Sequence, residues 1–219
     1  MSHLQQLREA FDAVADQPAR AWLDESCALL RKTASPADDL PRLSAMARRK
    51  TGMVKLGADV AAIPSGAGPL SCSAWASGDA ARIILLLTAT AAFPAQASAL
   101  VSLVYRLGDE AERAIVTRGL ALCPAPETLK PLALETGRVN SLELFSSLAL
   151  DNPYPAACYS DHEFNQLVLK ALFLGLSLER VAGLRQRLNA ELTRMCEDYI
   201  AERRAANRSI PADIRLAMR

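Results

Sequence analysis

"IILLLTATAAFPAQASALVSLVYRLG", residues 83–108, carries two apolar helical patterns hinged at Pro94. Its first part, Ile83 to Phe93, is the longest apolar run in the chain. It is about half the length a membrane-spanning helix needs, so it reads as a helix buried in protein. Proline has no N–H to donate and clashes with the preceding turn, so the first pattern must stop at Pro94 and a second starts beyond it. The same punctuation recurs at Pro124 with Pro126 and at Pro153 with Pro155. These breaks lie about thirty residues apart, room for one helix pair per interval.

Working outward, helical patterns run through 79–92, 95–107, 109–122, 126–137, 140–149, 161–174 and 178–206. The reading is an all-α chain of stacked antiparallel helix pairs, a HEAT-like α-solenoid. A compact irregular helical bundle is the alternative. Upstream, Leu4, Leu7, Phe11 and Val14 recur at helical spacing, Pro18 opens a second helix, and Asp38 to Lys50 forms a third with a basic end. Three segments follow: N-terminal helices 1–50, a Gly-, Ser- and Pro-rich connector 51–78, and a core of hairpins 79–219 continuous with the first helices. No stretch reads as a strand, and "GMVKLG" (52–57) is too short to pair stably alone.

Composition narrows the function classes. Among 219 residues, 25 basic side chains face 24 acidic ones, for a formal charge of +1, and no basic arm or face emerges. A nucleic-acid surface is therefore not expected. The five cysteines are scattered without a CxxC pair, which fits reduced thiols in the cytoplasm. The N-terminus has no signal-type apolar region, and no segment is long enough to span a membrane. Peripheral docking on a membrane is a further reading, with no basic amphipathic helix to support it.

The search for chemistry yields no catalytic set, no metal site and no cofactor motif. Only two histidines occur. In "SDHEF", Ser160 and Glu163 have the spacing of a helix capping box, and the adjacent Asp161, His162 and Glu163 point in different directions. Cys158 and His162 lack a third group to orient the imidazole. There is no GxSxG, GxxxxGK[ST] or GxGxxG.

The polar residues of the 151–170 joint are the remaining candidates for ligand or partner binding: Asn152, Tyr154, Asn165, Gln166 and Lys170. Tyr154, set between Pro153 and Pro155, is expected to be extended and either to plug the gap between helix pairs or to offer its hydroxyl to a ligand. In the helix 161–174, Phe164, Leu167, Val168, Ala171 and Leu172 share a face that Leu169 and Phe173 widen, so burial is expected around most of it. Asn165 lies on the apolar margin and is expected to pin the 151–159 loop, with a pocket for a polar ligand as the alternative. Gln166 and Lys170 share the polar strip. Further on, Val181, Leu184, Leu188, Leu192, Met195 and Tyr199 form a stripe along one long helix, with Arg187–Glu191, Arg194–Asp198 and Glu191–Arg194 as surface pairs.

Residues 148–211 also resemble a known family. "NPYPA" (152–156), "FNQLVLKALF" with Gly175, and the spaced Leu184, Arg187, Asn189, Glu191, Leu192, Arg194, Met195, Asp198 and Tyr199 resemble the C-terminal signature of EboA-type proteins. "MARRK" (46–50) and "GDAARIILLL" (78–87) fit the same pattern upstream. The resemblance implies membership of a bacterial and algal-plastid gene cluster for moving or processing secondary metabolites. Its companions resemble a UbiA-type prenyltransferase, a TatD-type hydrolase, a dehydroquinate-synthase-like enzyme, a xylose-isomerase-like barrel and an alkaline-phosphatase-like protein. No catalytic residue carries over. The expectation is a non-catalytic helical adaptor or accessory protein that binds another protein of the cluster or its metabolite. A small-molecule binder or cryptic enzyme with its pocket at the 151–170 joint is the alternative.

Overall fold

In the computed structural model, which describes residues 2–57, 60 and 62–219, the chain is all-α apart from one small hairpin. Residues 58, 59 and 61 of the expected connector lie outside the described residues. The helices are α1 (His3–Val14), α2 (Gln17–Leu30), α3 (Pro36–Thr51), α4 (Ser77–Ala92), α5 (Ala97–Leu107), α6 (Glu110–Gly119), α7 (Lys130–Arg138), α8 (Leu142–Ala149), α9 (Tyr154–Cys158), α10 (Asp161–Phe173) and α11 (Ala190–Ala205). Short 3-10 turns join several of them.

The apolar run of the opening stretch becomes α4, the centre of the fold. Ile83 to Leu87 are all buried, as are Ala80, Ala81 and Ala89. A helix apolar all round must be covered all round, and α4 is packed by α1, α2, α3, α5 and α6. At the Pro94 break the chain turns by 114° into α5. Five helices around one is the arrangement of an irregular bundle. The neighbour-upon-neighbour order of a solenoid is not established by it, although the all-α class holds. Small residues set the closest crossing. A β-carbon on Gly78 would sit 2.8 Å from both the Arg48 Cα and the Gly52 carbonyl oxygen, so α3 and α4 approach as only glycine permits.

One charged side chain is built into this core. Arg82, on α4, is 1% exposed. It donates through Nη2 to Glu112 Oε1 at 2.7 Å and to the Ser44 carbonyl at 3.0 Å, and through Nε to Ser44 Oγ at 3.1 Å. Burial pulls its pKa below the ordinary arginine value even with Glu112 beside it. Glu112 also closes the capping box of α6 by accepting the Asp109 N–H at 3.1 Å.

Several expectations are corrected. The connector contains a hairpin, β1 (Ile63–Ser65) paired antiparallel with β2 (Gly68–Leu70), plus a bridge between Lys55 and Ala76. Ile63 and Leu70 face each other across it and are both buried. Core packing supplies the stability that so short a hairpin lacks alone. The 178–206 helix is broken into two 3-10 turns, Leu178–Arg180 and Leu184–Arg187, before α11 starts at Ala190. Gly183 breaks it with φ +75°, at a spot where a β-carbon would meet the Ala156 Cβ at 2.5 Å. Phe173 is 68% exposed, so the apolar arc of α10 ends before it.

Candidate functional site

Tyr154 is helical, not extended. Pro153 adopts φ −74° and ψ −13°, and Tyr154 opens the single-turn α9 with Pro155 in its first turn, a position where proline's missing N–H costs nothing. Asn152 holds this turn. Its side-chain amide donates to the carbonyls of Thr117 at 3.2 Å and Ser147 at 3.0 Å, and its Oδ1 accepts the Tyr154 N–H at 3.0 Å. The fully buried Tyr154 donates its hydroxyl to the Pro126 carbonyl at 2.6 Å. Asn152 and Tyr154 thus tie α6, α8 and the 126–129 turn into one joint.

Asn165 is buried too, but its partner is not the 151–159 loop. It exchanges hydrogen bonds with Asn189, at 3.1 and 3.0 Å, while Asn189 Oδ1 accepts the Leu192 N–H at 2.8 Å and caps α11. The break in the expected long helix is what places a capping amide there. The loop is held instead by Arg187, which donates to the carbonyls of Ala156 and Tyr159 at 2.6 and 3.0 Å and to Asp161 at 2.7 Å. Its guanidinium lies over the Phe164 ring, so the expected pairing with Glu191 is replaced. Arg194 does pair with Glu191 and Asp198.

Gln166 and Lys170 lie elsewhere, on the wall of a cavity of about 390 Å³ between α7, α8 and α10. That volume falls in the range of small-molecule sites. Leu134, Phe145, Leu148 and Leu167 make its apolar lining, and Arg138, His162, Glu163, Gln166 and Lys170 its polar one. Lys170 Nζ donates to the carbonyls of Gly137 at 2.6 Å and Val139 at 3.3 Å, at the end of α7, and stands 4.7 Å over the Phe145 ring. Partial burial pulls its pKa down. Glu163 accepts the Ser160 N–H at 2.7 Å and pairs with Lys130 at 3.0 Å. The Ser160 backbone bond, followed by Lys130, holds its carboxyl below the ordinary value. The expected capping box is therefore present.

The residue that sequence reasoning missed is Tyr159. It caps the end of α9, lines the cavity, is 6% exposed, and among the described residues its buried hydroxyl has no hydrogen-bond partner. The hydroxyl lies 4.0 Å from where a Gly137 β-carbon would be, on the α7 wall of the same cavity. Its ring is fixed edge-on against Tyr154, with centroids 6.5 Å apart and planes at 84°. Burial pushes its pKa far up, so the hydroxyl stays protonated and can donate. A buried polar group left unpaired is unusual enough to call for a reason. Among the described residues the wall carries no thiol. Burial raises the pKa of nearby Cys158, the reverse of what an activated nucleophile needs. Among the described residues no three His, Cys, Asp or Glu side chains group as a metal site.

Comparisons complete the picture. No curated protein and no solved structure matched the chain. The family model described as metabolite traffic protein EboA matches residues 3–219, reaching past the C-terminal signature to the first helix. The chain belongs to the EboA family.

Proposed function

We propose that this protein is a non-catalytic accessory protein that binds a metabolite in the α7–α8–α10 cavity. The observation that carries this is the Tyr159 hydroxyl, buried at the cavity wall without a partner among the described residues. A hydrogen-bond acceptor on a bound molecule would relieve the desolvation of that hydroxyl. The lining suits a compact ligand with an apolar body, packed on Phe145, Leu148 and Leu167, and an acceptor directed at Tyr159. Gln166 and the outward Arg138 and His162 would meet a second polar end. The family description, metabolite traffic, agrees with a carrier role. Delivery to other proteins of the same cluster, in the cytoplasm, belongs to the same proposal.

The test is native mass spectrometry of the full chain purified gently from its host, followed by extraction of any bound compound. A stoichiometric small molecule that is lost when Gly137→Ala places a methyl beside the Tyr159 hydroxyl supports the reading. A ligand-free wild-type protein that also fails to bind metabolite extracts in equilibrium dialysis opposes it. Affinity capture from the host with the wild-type chain tests delivery, since recovery of other cluster proteins is expected.

A further inference from the structure

A second cleft, of about 280 Å³, opens where α3, α4, α6 and α8 meet the 71–75 loop. Its wall carries three arginines, Arg48, Arg118 and Arg180, and three carboxylates, Asp79, Glu143 and Asp151. Two of the arginines are already matched. Arg48 donates through Nε and Nη2 to Asp79 Oδ1, at 3.3 and 3.0 Å. Arg180 donates through the same two nitrogens to Asp151 Oδ2, at 3.0 and 2.5 Å. Glu143 is exposed. Arg118, on α6, is half-buried, and among the described residues its side chain has no hydrogen bond and no carboxylate within ion-pair distance. Burial is the main influence on it and pulls its pKa down. The fold thus holds a half-buried guanidinium at a cleft with no carboxylate paired to it, while Asp151, Asp79 and Glu143 act on it only from a distance.

A guanidinium has donors and no acceptor, so its complement must accept. Its planar fork matches the two oxygens of a phosphate or carboxylate. We propose that this cleft is an oxyanion site centred on Arg118. The unused Nη1 groups of Arg48 and Arg180 and the hydroxyls of Ser71 and Ser73, 3.1 Å apart, stand by as further donors. Salt bridges to Asp79 and Asp151 hold the outer two arginines in place. The cleft is smaller than the usual range for drug-sized ligands. It suits a single anionic group with little attached, and it is separate from the α7–α8–α10 cavity.

The test uses the full chain and simple anions. Thermal unfolding and titration calorimetry are run with inorganic phosphate, sulfate or acetate, at an ionic strength held constant with chloride. The expected result is saturable binding of phosphate or acetate, with a matching rise in melting temperature that chloride does not give. Phosphate with sulfate marks a phosphate-type site, and acetate alone a carboxylate site. Arg118→Gln should raise the dissociation constant about tenfold or more, the loss expected for a charge-assisted fork. It should leave the anion-free melting temperature unchanged or higher. Arg20→Gln, exposed on α2, should keep the wild-type response. Glu143→Gln, which removes a cleft carboxylate that has no salt bridge among the described residues, should tighten binding. The proposal is overturned if no anion outperforms chloride, if Arg118→Gln binds as wild type does, or if Glu143→Gln weakens binding.

Discussion

Tyr159→Phe separates a binding hydroxyl from a structural one, because the two roles move stability in opposite directions. The substitution keeps the ring, its edge-on contact with Tyr154 and nearly all of its volume. It removes one buried oxygen that has no partner among the described residues. Leaving a buried hydroxyl unpaired costs about 1–3 kcal/mol, and forming a hydrogen bond to it returns about 0.5–1.5 kcal/mol net. The ligand-free variant should therefore be more stable, by about 1 kcal/mol. For a chain of this length that is a rise in melting temperature of about 2–4 °C. The same change should weaken metabolite binding about three- to tenfold. The assay is paired: calorimetric unfolding of the stripped protein, and equilibrium dialysis of wild type and variant against the metabolite recovered from the host. A melting temperature lowered by several degrees in the stripped variant would refute the reasoning, since the hydroxyl would then be a structural donor.

The core around α4 and the rim of the cavity can be tested as well. Glu112→Gln leaves the guanidinium of Arg82 buried without its counter-charge, and breaking a buried pair in this way should cost about 3–5 kcal/mol in urea unfolding. A loss under about 1 kcal/mol would mean that the Ser44 bonds alone hold the Arg82 guanidinium in place. Gly78→Ala forces a methyl against the backbone of Arg48 and Gly52, so it should lower stability by about 1–3 kcal/mol despite alanine's better helix propensity; an unchanged midpoint would show that α3 and α4 can separate freely. Because the folded pKa of Glu163 is depressed, its contribution is present above the unfolded carboxylate value and is lost as pH falls through the lower folded one. The gap in melting temperature between wild type and Glu163→Gln should therefore shrink from about pH 6 to about pH 3, and a gap that is constant with pH would refute the assignment.

Helix existence was legible because α4 and α5 are long, strongly apolar and punctuated by Pro94. The Ser160–Glu163 capping box was legible because both halves lie within one turn. What was not legible depended on contacts remote in sequence. Proline and glycine in 63–70 read as connector, yet burial of Ile63 and Leu70 makes that stretch a hairpin. The stripe from Val181 to Tyr199 keeps helical spacing across Gly183 and Asn189, and the close approach of Ala156 decides for a turn. In the candidate site, Gln166 and Lys170 were visible as polar residues on an apolar helix. Asn165 had the same signal, and Asn152 and Tyr154 stood out in the proline-rich turn, but these three are buried and hydrogen-bonded to protein groups, away from the cavity wall. Tyr159 had no signal, since an unpaired hydroxyl is a property of its surroundings and not of its neighbours in sequence.

The central claim is that the α7–α8–α10 cavity holds a metabolite, and Gly137→Ala tests it most directly. The new methyl would lie 3.4 Å from Leu148 and 4.0 Å from the Tyr159 hydroxyl, ordinary contact distances, so the fold should tolerate it. Alanine in place of glycine within α7 should stabilise the helix by up to about 1 kcal/mol. Native mass spectrometry of wild type and variant, expressed side by side in the native host, should show a bound compound on the wild type and its loss or strong depletion on an equally stable variant. The same compound at the same occupancy on both proteins would contradict the account.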